Sequence, residues 1–178
     1  MTDSAHCFEQ HRARLFGVAY RMLGSRADAE DVVQDAWLRW QGADHAAIAS
    51  AEAWLVTVAT RLSLDRLRSA KREREAYVGP WLPEPILTDA LDSPELRLEF
   101  ASEVSMALMT VLECLAPDKR AAFLLREVFD YDYPDIAGIL SRSEAAVRQL
   151  VHRAREDVRA GRPRFAATVQ DREQILEK

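Results

Sequence analysis

Apolar residues return every three to four positions through most of this chain of 178 residues, and short polar breaks cut the pattern into segments of helical length. The period predicts three helices in the first half, at 8–23, 26–40 and 51–75. Gly24 ends the first and Gly42 closes the second. Ser25, with Asp28 three positions on, reads as a capping box. Ser50 stands in the same manner before Glu52 and the apolar run Ala53, Trp54, Leu55, Val58, Ala59 and Leu62. Trp37, Trp40 and Trp54 are expected to fill the core between these helices, and no ligand role is assigned to them.

In the second half, Ser93 caps a helix whose first position is Pro94, and Leu96, Phe100, Val104, Ala107, Leu108, Val111 and Leu112 carry its apolar stripe. Pro117 opens another helix through about Phe129. Residues 133–155 then read as two short helices broken by a polar turn, a helix-turn-helix. Ile136, Ala137 and Leu140 give the first of these an apolar face. Ala145, Ala146, Val147, Leu150, Val151 and Ala154 give the second its stripe, and Ser143 caps it. Arg148, Gln149, His152, Arg153 and Arg155 project from the polar side, where they can meet phosphates and base edges in a major groove. A solvated helix face is the bland alternative for any basic run. The preceding helix, the tight turn and the small alanines favour DNA.

Between the halves, Tyr77 to Pro85 holds three prolines and a glycine within nine residues, which precludes regular helix. Tyr77, Trp81 and Leu82 are costly to leave in water, so this linker docks either on its own domain or in a regulatory contact. The expected organisation is an all-α protein of two small helical domains, residues 8–75 and 93–162, with the linker at 76–92 and a tail at 163–178.

A hydrophobic content of 48% is enough for a core, and sparse glycine favours helix over sheet. A net charge of −5 argues against DNA binding until its distribution is considered. From Arg61 to Glu75 six basic residues oppose three acidic ones, and from Arg142 to Arg164 seven oppose three. Acidic residues gather elsewhere, at Asp28, Glu30, Asp31 and Asp35. Two DNA contacts and a separate acidic surface are the simplest arrangement. Cys7 and Cys114 form no CxxC pair, so neither a disulfide nor a zinc site is expected, and a reducing cytoplasm fits. No segment approaches the ~20 apolar residues that span a bilayer.

Three motifs in order resemble a bacterial sigma factor of the extracytoplasmic-function (ECF) class with sigma domains two and four. The stretch Asp28 to Trp37 resembles the family's core-polymerase-binding motif, Ala53 to Arg68 its promoter-melting helix, and residues 133–155 its minus-35 reader. Within the class, the Trp-Leu-Pro-Glu-Pro core of the linker and the run Glu144 to Leu150 resemble the subgroup with a SnoaL-like domain after sigma domain four. That resemblance makes the tail the join to an absent domain. Ser141 departs from the glycine usual in such turns, at a cost of up to roughly 1 kcal/mol.

The resemblance implies an alternative sigma factor that binds core RNA polymerase and directs promoter-specific initiation, with no enzymatic activity, cofactor or metal. Asp28, Asp31, Val32, Gln34 and Asp35 are then the polymerase contacts, facing the clamp coiled coil of the β′ subunit, with the β subunit as a further partner. Asp31, Gln34 and Asp35 also make one face of acceptors in their own right. Val32, Val33 and Leu38 either supply its apolar part or belong to the core, where Val33 is placed. Arg61, Asp65, Arg66 and Arg68 are carried over to minus-10 capture of flipped bases, with Lys71 and Arg72 on phosphates. Asp65 has an equal alternative in an ion pair with Arg61 or Arg68. Arg148, Gln149, His152 and Arg153 read the minus-35 element, Arg142 and Arg155 hold phosphate, and Ser143 and Glu144 complete that site. A SnoaL-like domain or an anti-sigma factor are further partners the resemblance allows.

Two rivals remain. Glu30, Asp31 and Asp35 can bind Mg²⁺ as in all-α nucleotide pyrophosphohydrolases, but that chemistry needs a second acidic helix, for which Glu95, Glu99 and Glu103 are the candidates. A plain helix-turn-helix regulator that never joins polymerase explains residues 133–155 and leaves the acidic helix and the Trp54 helix without work.

Overall fold

The structure, a computed structural model, describes residues 3–74 and 112–160. Six helices organise them: α1 (Asp3–Leu23), α2 (Arg26–Gln41), α3 (Ala51–Arg74), α4 (Pro117–Glu127), α5 (Tyr133–Leu140) and α6 (Glu144–Ala160), with a 3₁₀ turn at His45–Ala47. No strand occurs among the described residues. The predicted helix from Ser93 as far as residue 111, the linker with Tyr77, Trp81 and Leu82, and the tail lie outside them, while Leu112 at the end of that stripe is helical and buried.

α1, α2 and α3 pack on one another in a bundle. Leu15, Val18 and Ala19 of α1, Val32 and Ala36 of α2 and Leu55, Val56 and Ala59 of α3 belong to one core, all essentially without solvent contact. Each buried leucine or valine there contributes about 1.5–3 kcal/mol over an exposed one. The local signals act as read: Gly24 ends α1 at φ 73°, the region glycine enters without strain. The Ser25 hydroxyl accepts from the Asp28 amide at 3.3 Å, and that of Ser50 from the Ala53 amide at 3.3 Å.

α1 begins five residues before the expected boundary. Positions 3–7 carry no apolar period, but the Trp40 indole N–H donates to the Ser4 carbonyl at 2.9 Å, so a buried donor on α2 finds its acceptor in that extra turn. Of the three tryptophans expected in the core, Trp40 is buried, whereas Trp37 and Trp54 are half-buried and line surface grooves. A helix of 3.6-residue period cannot bury both Trp37 and Trp40 equally once Ala29, Val32 and Ala36 define the inner face.

In the second unit α4 packs on α6, and α5 closes against both. Ile136, Val147, Val151 and Ala154 are inside, as the stripes predict. Ile139 is buried too, and Ala145 is exposed, so each stripe is rotated slightly from the sequence expectation. α4 stops at Glu127, two residues short of Phe129, where the chain turns at Asp130 with φ 55°.

The two units are in contact: α4 packs against α1 and α3, and α5 against α3. Arg120, only 1% exposed, donates one nitrogen to the Met22 carbonyl at the end of α1 and to the Glu113 carboxylate, each at 2.6 Å. The Arg21 guanidinium lies 5.2 Å from the Phe129 ring centroid. Nearby, Glu52 of α3 pairs with Arg14 of α1 and accepts from the Tyr131 hydroxyl at 3.2 Å. Burial pushes the Tyr131 hydroxyl up to about 12, Arg14 opposing and Glu52 reinforcing the shift.

Candidate nucleic-acid interface and acidic face

On α2 the capped first turn sets Asp28, Asp31 and Asp35 along one edge. Arg66 reaches them from α3, with one nitrogen 3.0 Å from Asp35 and the other 3.3 Å from Asp31 and 3.7 Å from Asp28, while it also donates to the Asp28 carbonyl at 3.2 Å. Arg66, carried over to minus-10 contact, is therefore engaged by the acidic edge. Gln34 is exposed beside that edge and Leu38 is 58% exposed one turn on. Val32 is wholly buried and Val33 nearly so. Val32 thus supports the acidic face from beneath and does not form part of it; Val33 is core as expected. A groove of about 460 Å³ runs along the α1/α2 edge, lined by Phe8, Arg12, Gln34 and Trp37 among others.

α3 carries the first basic stretch. Asp65 is exposed and lies 3.6 Å from Arg68, one of the two arginines named for its alternative ion pair. Arg68 also bonds Asp118 of α4 at 2.8 Å. Arg61 donates to the Ile139 and Gly138 carbonyls at 3.0 and 3.2 Å and to the Ser141 hydroxyl at 2.9 Å. Lys71 and Arg72 fall on the last turns of α3, their side chains outside the described residues.

Beside α3 a groove of about 680 Å³ is lined by Arg39, Asp44, Ile48, Trp54, Thr57 and Arg61. Its far wall is the 3₁₀ turn. Asp44 accepts from the Ala46 amide at 3.1 Å, and His45 stacks on Trp40 at 4.3 Å and bonds the Trp40 carbonyl at 2.8 Å. Sequence reasoning missed Arg39, Asp44 and Thr57 here and assigned Trp54 to the core. The available signal was the polar break at Gly42-Ala43-Asp44 directly before the Trp54 helix.

In the helix-turn-helix, Ser141 adopts φ 52°, ψ 49°, the left-handed region its expected turn demanded. The Arg142 amide then returns to the Ala137 carbonyl at 3.0 Å, closing α5, and the Ser143 hydroxyl caps α6 by accepting from the Ala146 amide at 3.2 Å. With Val147, Val151 and Ala154 inside, Arg148, Gln149, His152 and Arg153 are all turned outward. Arg148 pairs with Glu144 and lies 4.2 Å from the Tyr133 ring centroid, which holds its guanidinium in place. His152 lies 3.5 Å from Glu156, Arg155 bonds Glu127 at 2.7 Å, and Arg142 bonds Asp118 at 3.2 Å.

Among the described residues no group of three or more His, Cys, Asp or Glu is arranged to hold a metal ion, and no helix is long and apolar enough to cross a membrane. Glu95, Glu99 and Glu103, which the Mg²⁺ rival needs, lie outside the described residues.

Residues 7–73 match Sigma-70 region 2, and residues 105–158 match Sigma-70, region 4. The chain is 51% identical over 155 residues to the ECF RNA polymerase sigma factor SigJ of Mycobacterium tuberculosis, covering 86% of this chain and 49% of that protein. It is 37% identical over 162 residues to the probable ECF sigma factor SigI of the same species, covering 90% and 55%. The crystal structure of SigJ superposes with a TM-score of 0.70 at 48% identity, over 85% of this chain and 51% of that one. The chain spans about half the length of these relatives. With region 2 on the bundle that bears the acidic edge and region 4 on the helix-turn-helix, in that order, the chain belongs to the extracytoplasmic-function class of the sigma-70 family.

Proposed function

We propose that this chain is an alternative sigma factor that joins core RNA polymerase and selects promoters by reading minus-10 and minus-35 elements. The observation that carries this reading is the placement of two unlike surfaces on separate helices: an acidic edge on α2 and an outward basic row on α6. Asp28, Asp31, Gln34 and Asp35, with exposed Leu38, are the polymerase contacts, as carboxylates and an apolar side chain suit an arginine-bearing helix pair. Arg148, Gln149, His152 and Arg153 read minus-35 bases, Arg142 and Arg155 hold phosphates, and Ser143 and Glu144 order the start of the reading helix. Arg61, Asp65 and Arg68, with Lys71 and Arg72, serve the minus-10 element. The groove beside Trp54 has an aromatic wall and charged groups suited to an extruded base. The working compartment is the cytoplasm, where polymerase and promoters meet.

Reconstitution tests the reading. The chain is mixed with core polymerase from Mycobacterium tuberculosis, and bound fragments are selected from a random DNA library. Co-elution with polymerase, enrichment of two spaced sequence blocks and run-off transcripts are expected. DNA binding by a chain that never co-elutes with polymerase would instead identify a free-standing regulator.

A further inference from the structure

Arg148 stands on the outward row of α6 and is braced from two directions. Its guanidinium carbon lies 4.2 Å from the ring centroid of Tyr133, the first residue of α5. One turn back along α6, a single oxygen of Glu144 accepts from Arg148 Nε at 3.1 Å and also from one of the two terminal nitrogens. The ring is itself pinned. Arg126 of α4 lies 5.1 Å from the Tyr133 centroid, and the Tyr131 carbonyl and Asp132 carboxylate accept from that second guanidinium at 2.8 and 3.2 Å. Pro134 follows Tyr133 directly and restricts the backbone there.

These contacts decide which donors Arg148 has to offer. A guanidinium carries five N–H donors in one plane. Glu144 takes the edge formed by Nε and one terminal nitrogen, which leaves the edge between the two terminal nitrogens as a parallel pair of donors on a side chain that is 58% exposed. Guanine answers such a pair in the major groove through its O6 and N7 acceptors, whereas adenine places a donor where O6 would be. An arginine without braces must be ordered when the base is bound, and that cost falls on the specific complex; fixing the side chain beforehand removes it.

We propose that Tyr133 and Glu144 are positioning residues that hold Arg148 end-on to one guanine of the minus-35 element, so that Tyr133 sets base discrimination without itself touching DNA. This rests on the assignment of Arg148 to a minus-35 base made above. Glu144 acts in a second way, because its carboxylate repels any phosphate that approaches the edge it occupies.

The test carries the full chain, alone and with core polymerase from Mycobacterium tuberculosis, through selection from a random DNA library, and sequencing reads the base preference at every position of the minus-35 block. Circular dichroism verifies the helices of each variant. The wild type should prefer guanine at one position, and Arg148→Ala should flatten that position by about tenfold or more. Tyr133→Leu should reduce the guanine preference there about threefold and leave neighbouring positions as they are, whereas Tyr133→Phe, which keeps the ring, should retain it. Glu144→Ala should lower the same preference by a similar factor, and it leaves α5 untouched should leucine at 133 disturb that helix. In the Arg148→Ala background neither Tyr133→Leu nor Glu144→Ala should change the profile. Full guanine preference in Tyr133→Leu and Glu144→Ala, with loss in Arg148→Ala, would overturn the positioning role and leave Arg148 as the reader. A flattened position in Tyr133→Phe would overturn it by showing that the hydroxyl acts rather than the ring. An unchanged profile in Arg148→Ala would overturn the reading of Arg148 as a base contact, and this proposal with it.

Discussion

Arg66 of α3 and Asp35 of α2 meet at 3.0 Å across 31 positions of sequence, and the same guanidinium reaches Asp31. One cation thereby relieves the repulsion among carboxylates that α2 lines up on a single edge. Exposed pairs are worth about 0.2–1 kcal/mol each, and a network sharing one arginine sits near the top of that range. Arg66→Ala should lower stability by about 1 kcal/mol in dilute buffer, with a smaller loss at 1 M salt, where screening is strong. Urea unfolding at the two salt concentrations measures it; an equal loss at both would mean that packing of the Arg66 stem matters more than its charge.

The acidic edge is surface, so its removal separates binding from folding. Replacing Asp31, Gln34 and Asp35 together with alanine should abolish association with core polymerase and leave the helical circular dichroism intact. A pull-down with core polymerase checks this. Normal capture of the triple variant would take α2 out of the polymerase interface.

On α6, Arg148 faces outward with its guanidinium steadied by Tyr133, whereas Arg155 is tied to Glu127 on α4. Arg148→Ala should cost about 1–3 kcal/mol at one minus-35 base pair and little elsewhere. Arg155→Ala should weaken all sequences alike and flatten the salt dependence. Titrations on matched and single-mismatch promoters distinguish the two, and a uniform loss for Arg148→Ala would reassign it to phosphate.

Arg120 is buried between the units with the Met22 carbonyl and Glu113 as acceptors. Arg120→Met should destabilise by about 3–5 kcal/mol, because the Met22 carbonyl and the Glu113 carboxylate both lose a buried donor. Adding Glu113→Leu should recover only part of that loss, since the Met22 carbonyl still lacks the Arg120 donor. Thermal unfolding of the single and double variants gives the comparison.

Tyr131 links pH to the same junction. Its folded-state pKa of about 12 lies above the roughly 10 of an unfolded tyrosine, so the neutral phenol is favoured by folding. The associated stability is complete below pH ~10 and is lost as pH rises through ~12, with no effect near neutrality. Tyr131→Phe should remove that alkaline loss and leave stability at pH 7 little changed beyond one hydrogen bond. Urea midpoints between pH 9 and 12 report it.

What the sequence determined by itself is local. Helix period, the caps at Ser25, Ser50 and Ser143, the stop at Gly24 and the left-handed turn at Ser141 each depend on residues within a few positions, so they are legible without partners. The outward face of α6 follows from the same period, and with it the row Arg148, Gln149, His152 and Arg153. Tertiary structure alone decided which charges meet. Arg66 turns to the acidic edge, Arg61 to the end of α5, and Arg68 and Arg142 share Asp118, because packing brings together helices that are 24 to 80 residues apart in sequence. It also extended α1 to supply an acceptor for Trp40 and left Trp54 on a groove wall. A long charged side chain has many partners within its reach, and a polar pattern read along one helix carries no information about which neighbouring helix will present the matching charge.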